Sequence, residues 1–400
     1  EKNDKGSGLS SFQTLVVSTA TRVGMGNLVG VVAALSVGGA GAVFWMWVTA
    51  LLGASTSFVE STLAQKYKQP DHLYGGWRGG PAYYLHTLAE RRRGRKLRRS
   101  VVACLFAVSG LICWCGISQV VSNSVSEAFQ NAFSIPPLVT TLVLTALAAV
   151  IVLRKEATVK SLDVMVPIMA GCYFVMTLWI ILTHLPQLPD VFVRIFSEAL
   201  GLRQAVGGGF GAVVMNGIKR GLFSNEAGSG SAPCAAAAAE CDDPVKMGLV
   251  QALGVLIDTI VICTLTSLAV ILSGVLDVGL DSYATNGAAA VAAFNAILPG
   301  TIGGTIIQIS LLFFALSTIL GWSYYGERCW AYLSNNNKAV VWVFKVVFVL
   351  VCIVGATGNG TLMWDISDTL NGMMAIPNLI GLLLLSNVII RSTNDYFKKH

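Results

Sequence analysis

The sequence predicts an all-α integral membrane protein of about ten transmembrane helices, set out as two groups of five. Three observations predict it. Hydrophobic residues make up 54% of the 400 and only 12% are charged, whereas soluble domains run near a quarter charged. The apolar residues fall into long runs, each able to cross a hydrocarbon layer of about 30 Å. Basic residues recur at every second connection, as the positive-inside rule demands.

The runs cover residues 12–36, 40–65, 100–131, 137–153, 158–183, 206–239, 245–276, 301–325, 338–356 and 361–391. The loop 66–99 holds Arg91, Arg92, Arg93, Arg95, Lys96, Arg98 and Arg99. A nucleic-acid role for that basic stretch is weaker than a cytoplasmic loop, because membrane spans flank it. Placing it in the cytoplasm puts Arg154, Lys155 and Lys160 there too, then Lys246, Arg328, Lys338, Arg391, Lys398 and Lys399. The opposite connections are short or acidic, as at Asp277 and Asp281. One orientation thus satisfies nearly every loop, with both ends of this chain cytoplasmic.

The domain reading follows. Residues 1–11 are a polar lead-in without an initial Met, expected to follow a missing or processed start. Residues 12–183 form the first five-helix repeat and 206–391 the second. The segment 184–205 is an outer connector containing an amphipathic surface helix, and 392–400 is a cytoplasmic tail. Residues 281–299 are expected to form a short helix over the outer mouth. The nine cysteines sit mostly within apolar runs without metal-binding or disulfide spacing, and read as small packing residues.

Runs one and six are interrupted. The first contains Arg22-Val-Gly-Met-Gly-Asn27 and Gly30; the sixth contains Gly207-Gly-Gly-Phe-Gly211, Gly217, Gly221 and Ser224-Asn-Glu-Ala-Gly-Ser-Gly-Ser231. They hold corresponding positions at the head of each five. Matching Gly-interrupted spans in two halves point to a transport site on an inverted repeat, and an odd number of spans per half makes the repeat inverted. Around Gly24, Met25, Gly26 and Asn27, an unwound backbone would free carbonyls for a cation and N–H groups for a carboxylate. Close helix packing explains Gly26 and Gly30 equally simply. Glu226 is functional by default if it lies at membrane depth, and an exposed neighbour of a helix end if the span stops there.

Ser317 and Thr318 offer hydroxyls to a cation, or bond back to their own helix. Trp322 is either a pocket wall or an interfacial belt residue. Asp258, Asp365 and Asp368 are candidate ion-pair partners for Arg22. His72, His86, His184 and His400 lie in loops or the tail, giving no zinc spacing. Neither a phosphate-binding loop nor a nucleophile elbow in triad context occurs, so an enzyme is not expected. A channel would need a ring of selectivity groups, which the sequence lacks.

Several stretches resemble the alanine or glycine:cation symporter family of bacteria and archaea. They are Val23–Val31, Gly41–Thr49, Phe58-Val-Glu60, Ala64–Tyr67, Gly79–Tyr84, Gly221–Gly228, Gly321–Glu327 and Met374–Asn378. The resemblance covers nearly the whole chain. It implies a five-plus-five inverted repeat of the leucine-transporter type in a prokaryotic cell membrane, taking up a small neutral amino acid with Na+ and using no organic cofactor. It also implies a substrate pocket of Gly24, Met25, Gly26, Asn27, Phe223, Ser224 and Asn225, with Trp322 as a wall and Gln119 as a further polar group. Na+ would take the carbonyls of Ala20, Val23 and Phe314 and the hydroxyls of Ser317 and Thr318. The family's usual Gly-Thr-Gly-Asn reads Gly-Met-Gly-Asn here, and Arg22 sets a cation beside the expected Na+ site. Proton-coupled transport, uncoupled transport and a non-transporting sensor on the same fold are the competing readings.

Overall fold

The computed structural model describes residues 9–73, 75–154, 157–202, 209–283, 285–298, 302–355, 358 and 360–399. Most of the lead-in (1–8), Lys155, Gly207, Gly208, Pro299, Gly300, His400 and the Asp281 side chain therefore lie outside the description.

Helix α1 (Ser11–Arg22) starts at a reciprocal cap: Ser10 Oγ accepts from Gln13 N at 3.1 Å and Gln13 Oε1 accepts from Ser10 N at 3.0 Å. After a break, a π-helical turn (Gly26–Gly30) leads into α2 (Val31–Gly38), bent 48° from α1. Gly39, at φ 63°, ends α2 in a conformation that suits glycine. Helix α3 (Ala42–Lys66) follows. The loop 66–99 is more ordered than expected, holding a two-stranded hairpin (Gln69–Pro70 with Trp77–Arg78) and α4 (Pro81–Arg93), which opens on proline.

Next come α5 (Val101–Phe133), capped by Ser100, α6 (Pro137–Val152) and α7 (Ala157–Thr183). The expected amphipathic connector helix is α8 (Leu188–Ala199), and α9 (Phe210–Asn225) opens the second half. The short α10 (Ala232–Ala236) resumes beyond a second break. Then α11 (Pro244–Leu256) runs through a π-helical stretch (Ile257–Cys263) into α12 (Thr264–Leu272). A single turn, α13 (Val275–Val278), precedes α14 (Asn286–Ile297). The chain closes with α15 (Ile302–Leu333), α16 (Lys338–Val354), α17 (Gly360–Leu384) and α18 (Ser386–Lys399).

Among the described residues, five continuous helices are long and apolar enough to cross a membrane: α3, α5, α7, α11 through α12, and α15. The pairs α1–α2 and α17–α18 are each long and apolar enough when taken together, bent at the join, although α17 alone is already 25 residues long. At 16 residues each, α6 and α9 are shorter than the ~20 that a straight span takes, as is α16 at 17. Two boundaries change. The eighth run extends to Leu333, and the tenth ends at Leu384, where a 59° bend turns the polar α18 aside.

The helices sort into two packed groups. Helix α3 lies against α9 and α11, while α5 lies against α6, α15, α16 and α17. Glycine permits the closest crossings: a Cβ at Gly217 would stand 2.5 Å from the Ala42 carbonyl oxygen, and one at Gly248 would stand 2.8 Å from the Phe58 ring. Helix α1 bridges the groups, touching α7, α11 and α15. Its start is pinned by Leu9, whose N–H donates to Ala238 O at 3.0 Å and whose carbonyl accepts from Glu240 N at 2.8 Å. The face toward lipid is apolar, as at Val164, Ile168, Val175 and Trp179. The buried interior holds charged side chains, including Arg22, Glu60, Glu226 and Asp258, which lipid alone would not tolerate.

Candidate substrate and cation site

The first break follows from a side chain competing for the helix's own hydrogen bonds. In a continuous helix Gly24 N–H would donate to Ala20 O, and Asn27 N–H to Val23 O. Gly24 N–H donates instead to Asn27 Oδ1 at 2.8 Å, and Asn27 N–H donates to Gly24 O at 3.2 Å. The carbonyls of Ala20 and Val23 are thereby released from the α-helical ladder, inside a buried region where they need a partner.

The second break lies alongside. Helix α9 ends at Asn225, and Glu226, Gly228 and Gly230 take positive φ of 56°, 81° and 86° before α10 begins. The two breaks nearly touch: a Cβ at Gly26 would stand 3.3 Å from Ser224 Cα and 3.4 Å from the Phe223 ring. A glycine at 26 is what permits that approach.

A third irregular element joins them. The π-helical turn in the seventh run presents Asp258, which is fully enclosed. Asn27 Nδ2 donates to Asp258 Oδ1 at 2.7 Å, while Ser224 Oγ and Thr259 Oγ1 donate to Asp258 Oδ2 at 2.8 and 3.0 Å. Cys263 Sγ lies 3.2 Å from both Asn27 Nδ2 and Ser224 Oγ. One buried carboxyl thus joins both broken spans through Asn27 and Ser224, and Thr259 of its own turn adds a third donor, which is how a buried carboxyl is made tolerable.

The remaining cation candidates lie on α15 across from Gly24. A Cβ at Gly24 would collide with Thr318 Oγ1, and would sit 3.5 Å from Thr21 O and 3.8 Å from Phe314 O. Thr318 Oγ1 is buried without a hydrogen-bond partner among the described residues. Ser317 Oγ donates to Phe314 O at 2.9 Å, leaving its lone pairs available. Such a set of neutral oxygens suits a hard monovalent cation.

Arg22 corrects one expectation. Its guanidinium meets none of Asp258, Asp365 or Asp368 among the described contacts. It donates through Nε to Asn225 O at 3.0 Å, through Nη1 to Gln251 Oε1 at 3.0 Å, and through Nη2 to Ser57 Oγ at 3.0 Å. These neutral acceptors draw the charge toward α3 and α11, and Gly254 leaves room for it. Asp368 pairs with Lys219 at 2.6 Å and with Arg220 at 3.2 Å.

Arg220 also stacks on Trp364 at 4.7 Å, and Trp364 contacts the Phe223 ring at 5.1 Å. This layer floors a cavity of about 600 Å³ lined by Val29, Asn123, Glu127, Asn216 and Asp365. Outside the lining of that cavity, Glu226 Oε2 accepts from Thr21 Oγ1 at 3.2 Å and Ser231 Oγ at 2.5 Å. Asp71 pairs with Arg328, and Glu327 pairs with Lys345 at 3.0 Å.

Other expected pocket residues are placed as follows. Met25 is buried in the core. Trp322 is 4% exposed and stacked on Trp114 at 6.0 Å, which removes the interfacial-belt alternative. Glu226 is buried, not an exposed end residue. Asn225 turns toward Gly53 of α3, and its Oδ1 accepts from Ala227 N at 3.0 Å. Gln119 lies in a lateral groove with Ile112, Val347 and Ile366, apart from the two breaks.

Sequence reasoning missed one further cluster. Glu60, fully enclosed, accepts from Asn378 Nδ2 at 2.9 Å and from Gly228 N at 3.3 Å, and Tyr84 Oη bonds Asn378 Oδ1. Four separated stretches converge there: Phe58-Val-Glu60, Gly79–Tyr84, Gly221–Gly228 and Met374–Asn378. Each carries the family resemblance, and that shared property was the signal available.

Two adjoining broken helices, a buried cation-competent set of oxygens and a cavity opening to one face define a multi-pass membrane transporter rather than an enzyme. The chain belongs to the sodium:alanine symporter family, whose sequence profile matches residues 1–400. It is 41% identical over 391 residues to the sodium/alanine symporter of Methanococcus maripaludis, covering 97% of this chain and 84% of that one. It is 39% identical over 396 residues to a protein of Bacillus subtilis described as a probable sodium/glutamine symporter, covering 98% and 79%. Its fold is that of the leucine-transporter class: it superposes on the structure of MhsT in complex with L-phenylalanine with a TM-score of 0.66 at 13% identity, covering 95% and 89%.

Proposed function

We propose that this chain carries a small neutral amino acid, alanine or glycine, inward together with Na+ by alternating access. The observation that carries the reading is the release of the Ala20 and Val23 carbonyls opposite the hydroxyl of Thr318, which has no partner among the described residues. Na+ takes those oxygens with Phe314 O and Ser317 Oγ. The amino acid lies at the adjoining breaks, between Gly24–Asn27 and Phe223–Ser224, under Trp364. Its carboxylate meets freed N–H groups of the first break; among the described residues the carboxyls beside that break are Asp258, held by three donors, and Glu226, which accepts from Thr21 and Ser231.

The substrate is small because large side chains already fill the walls: the Phe223 ring closes on Gly26, and Met25 and Trp322 are buried. A relative described as a probable sodium/glutamine symporter makes glutamine the competitor to test. The basic loop 66–99 sets the cytoplasmic face by the positive-inside rule, so the 600 Å³ cavity opens outward. Residues 12–183 and 206–391 act as the two inverted repeats. One positive charge crossing 100 mV supplies about 2.3 kcal/mol, enough for roughly fortyfold accumulation before the sodium gradient is counted.

The test is uptake of radiolabelled alanine, glycine and glutamine into proteoliposomes. Alanine or glycine uptake should require an imposed Na+ gradient. Equal uptake in choline buffer would remove the coupling. Faster glutamine than alanine uptake would overturn the small-substrate assignment.

A second reading is proton coupling, favoured by Glu226, whose Oε1 is buried without a partner among the described residues. Acidification of the lumen on adding alanine in sodium-free buffer would select it.

A further inference from the structure

We infer that the groove between α4, α5 and α17 binds an anionic phospholipid, with its phosphate on Arg92 and Arg93 and one acyl chain lying between Leu105 and Ile376. The groove encloses about 710 Å³. Leu85, Leu88, Val101, Leu105, Ile376 and Ile380 give it an apolar wall, and no carboxylate lines it among the described residues. Arg92 and Arg93 stand at its mouth, both exposed.

The depth fits one leaflet. On α5 the lining runs from Val101 to Ser109 and on α17 from Met373 to Leu384. At a rise of 1.5 Å per residue these are roughly 12 and 16 Å, against about 15 Å for half a 30 Å hydrocarbon layer. The mouth therefore sits where a headgroup begins.

Charge identifies the headgroup. Arg91 is occupied, its Nη1 donating to Tyr67 Oη at 2.8 Å and its guanidinium lying over that ring. Arg92 and Arg93 form no ion pair among the described residues. The nearby acid, Glu90, is held by the Leu97 N–H at 2.8 Å and faces His86 at 3.4 Å. Arg95, Lys96, Arg98 and Arg99 follow in the same connection. Two other apolar grooves face lipid without this feature: among the described residues, the one between α7 and α15 has a single cation, Lys160, and the one beside α16 has none. A basic mouth on an apolar slot selects a phosphate headgroup of net negative charge over one neutralised by its own ammonium group.

The groove also touches the transport machinery. Leu85 packs on Gly381, and the neighbouring Tyr84 bonds Asn378, which holds Glu60 and the Gly228 carbonyl. A chain seated there buttresses α17 beside Pro377, where the missing proline N–H weakens the helix.

The experiment measures lipid retention by native mass spectrometry and the melting midpoint of the full chain in detergent. The probes are dioleoyl phosphatidylglycerol, dioleoyl phosphatidylcholine and glycerol 3-phosphate. Phosphatidylglycerol should be retained and raise the midpoint, with at least about tenfold preference over phosphatidylcholine. R92Q/R93Q should lose that preference, whereas K398Q/K399Q, a basic pair away from the groove, should keep it. Ile376→Trp, which fills the slot, should lose retention with both arginines in place. Equal retention of both lipids, an unchanged preference in R92Q/R93Q, or the same gain from glycerol 3-phosphate would overturn the assignment.

Discussion

Asn27 holds the first break open from both ends of its amide: Oδ1 takes the Gly24 N–H at 2.8 Å and Nδ2 donates to Asp258 at 2.7 Å. The same side chain that frees the Ala20 carbonyl is oriented by the carboxyl that also holds Ser224. Asn27→Ala removes an acceptor for one buried N–H and a donor to a buried carboxyl. Each loss costs about 1–3 kcal/mol. Na+-dependent uptake of alanine should fall by about tenfold or more, with a lowered melting midpoint in detergent. Unchanged uptake would show that the break does not depend on this amide.

Thr318 gives the cleanest test of the cation site. Thr318→Val keeps the shape and removes the hydroxyl, so the Na+ concentration for half-maximal uptake should rise by about tenfold, the cost of one lost ligand of about 1.4 kcal/mol. Thr318→Ser keeps the oxygen and should stay within a few-fold of wild type. Ser317→Ala should act in the same direction as Thr318→Val. If Val and Ser at position 318 give the same sodium dependence, the site lies elsewhere.

Gly24→Ala probes the same place from the other side. Its Cβ would collide with Thr318 Oγ1, so either α1 or the hydroxyl has to move. Sodium dependence should weaken in Gly24→Ala at least as much as in Thr318→Val. The double variant should cost less than the sum, because the two changes share one contact. Additive effects would separate the two residues.

The fold was legible because lipid imposes a simple rule: apolar length and loop charge each register independently of tertiary contacts. The breaks at Gly24–Asn27 and Ser224–Ser231 were legible for a related reason, since glycine and polar residues at membrane depth are locally anomalous. What joins the breaks was not. Asp258 lies 34 residues beyond Ser224 and 231 beyond Asn27, and nothing in its local sequence reveals the π-helical turn that aims it inward. Arg22 invited an acidic partner, yet neutral oxygens from Asn225, Gln251 and Ser57 satisfy it. Those groups come from three helices and give no sequence signal. Gln119 was assigned by position in a resemblance, and a helix turns 100° per residue, so a small register error reverses its face.

Asp258 therefore carries a prediction that the sequence did not suggest. Asp258→Asn is isosteric, but an amide offers one acceptor oxygen where the carboxyl offers two. It would keep either Asn27 or the Ser224–Thr259 pair, and would turn an N–H₂ group toward the donors on the other side. The expected loss is the alignment of the two breaks more than the fold, because α9 retains its packing on α3 and α1 its packing on α11 and α15. Maximal uptake should drop by about tenfold or more, while the melting midpoint falls by only a few degrees. Asp258→Glu should restore less than half of the activity, since the added methylene enlarges a side chain that is already fully enclosed. The informative comparison is Asp258→Asn with Asn27→Ala and with the pair. A double variant no worse than either single one would establish that Asn27 and Asp258 act as one unit in aligning the site. Independent, multiplying losses would mean that Asp258 serves Ser224 alone.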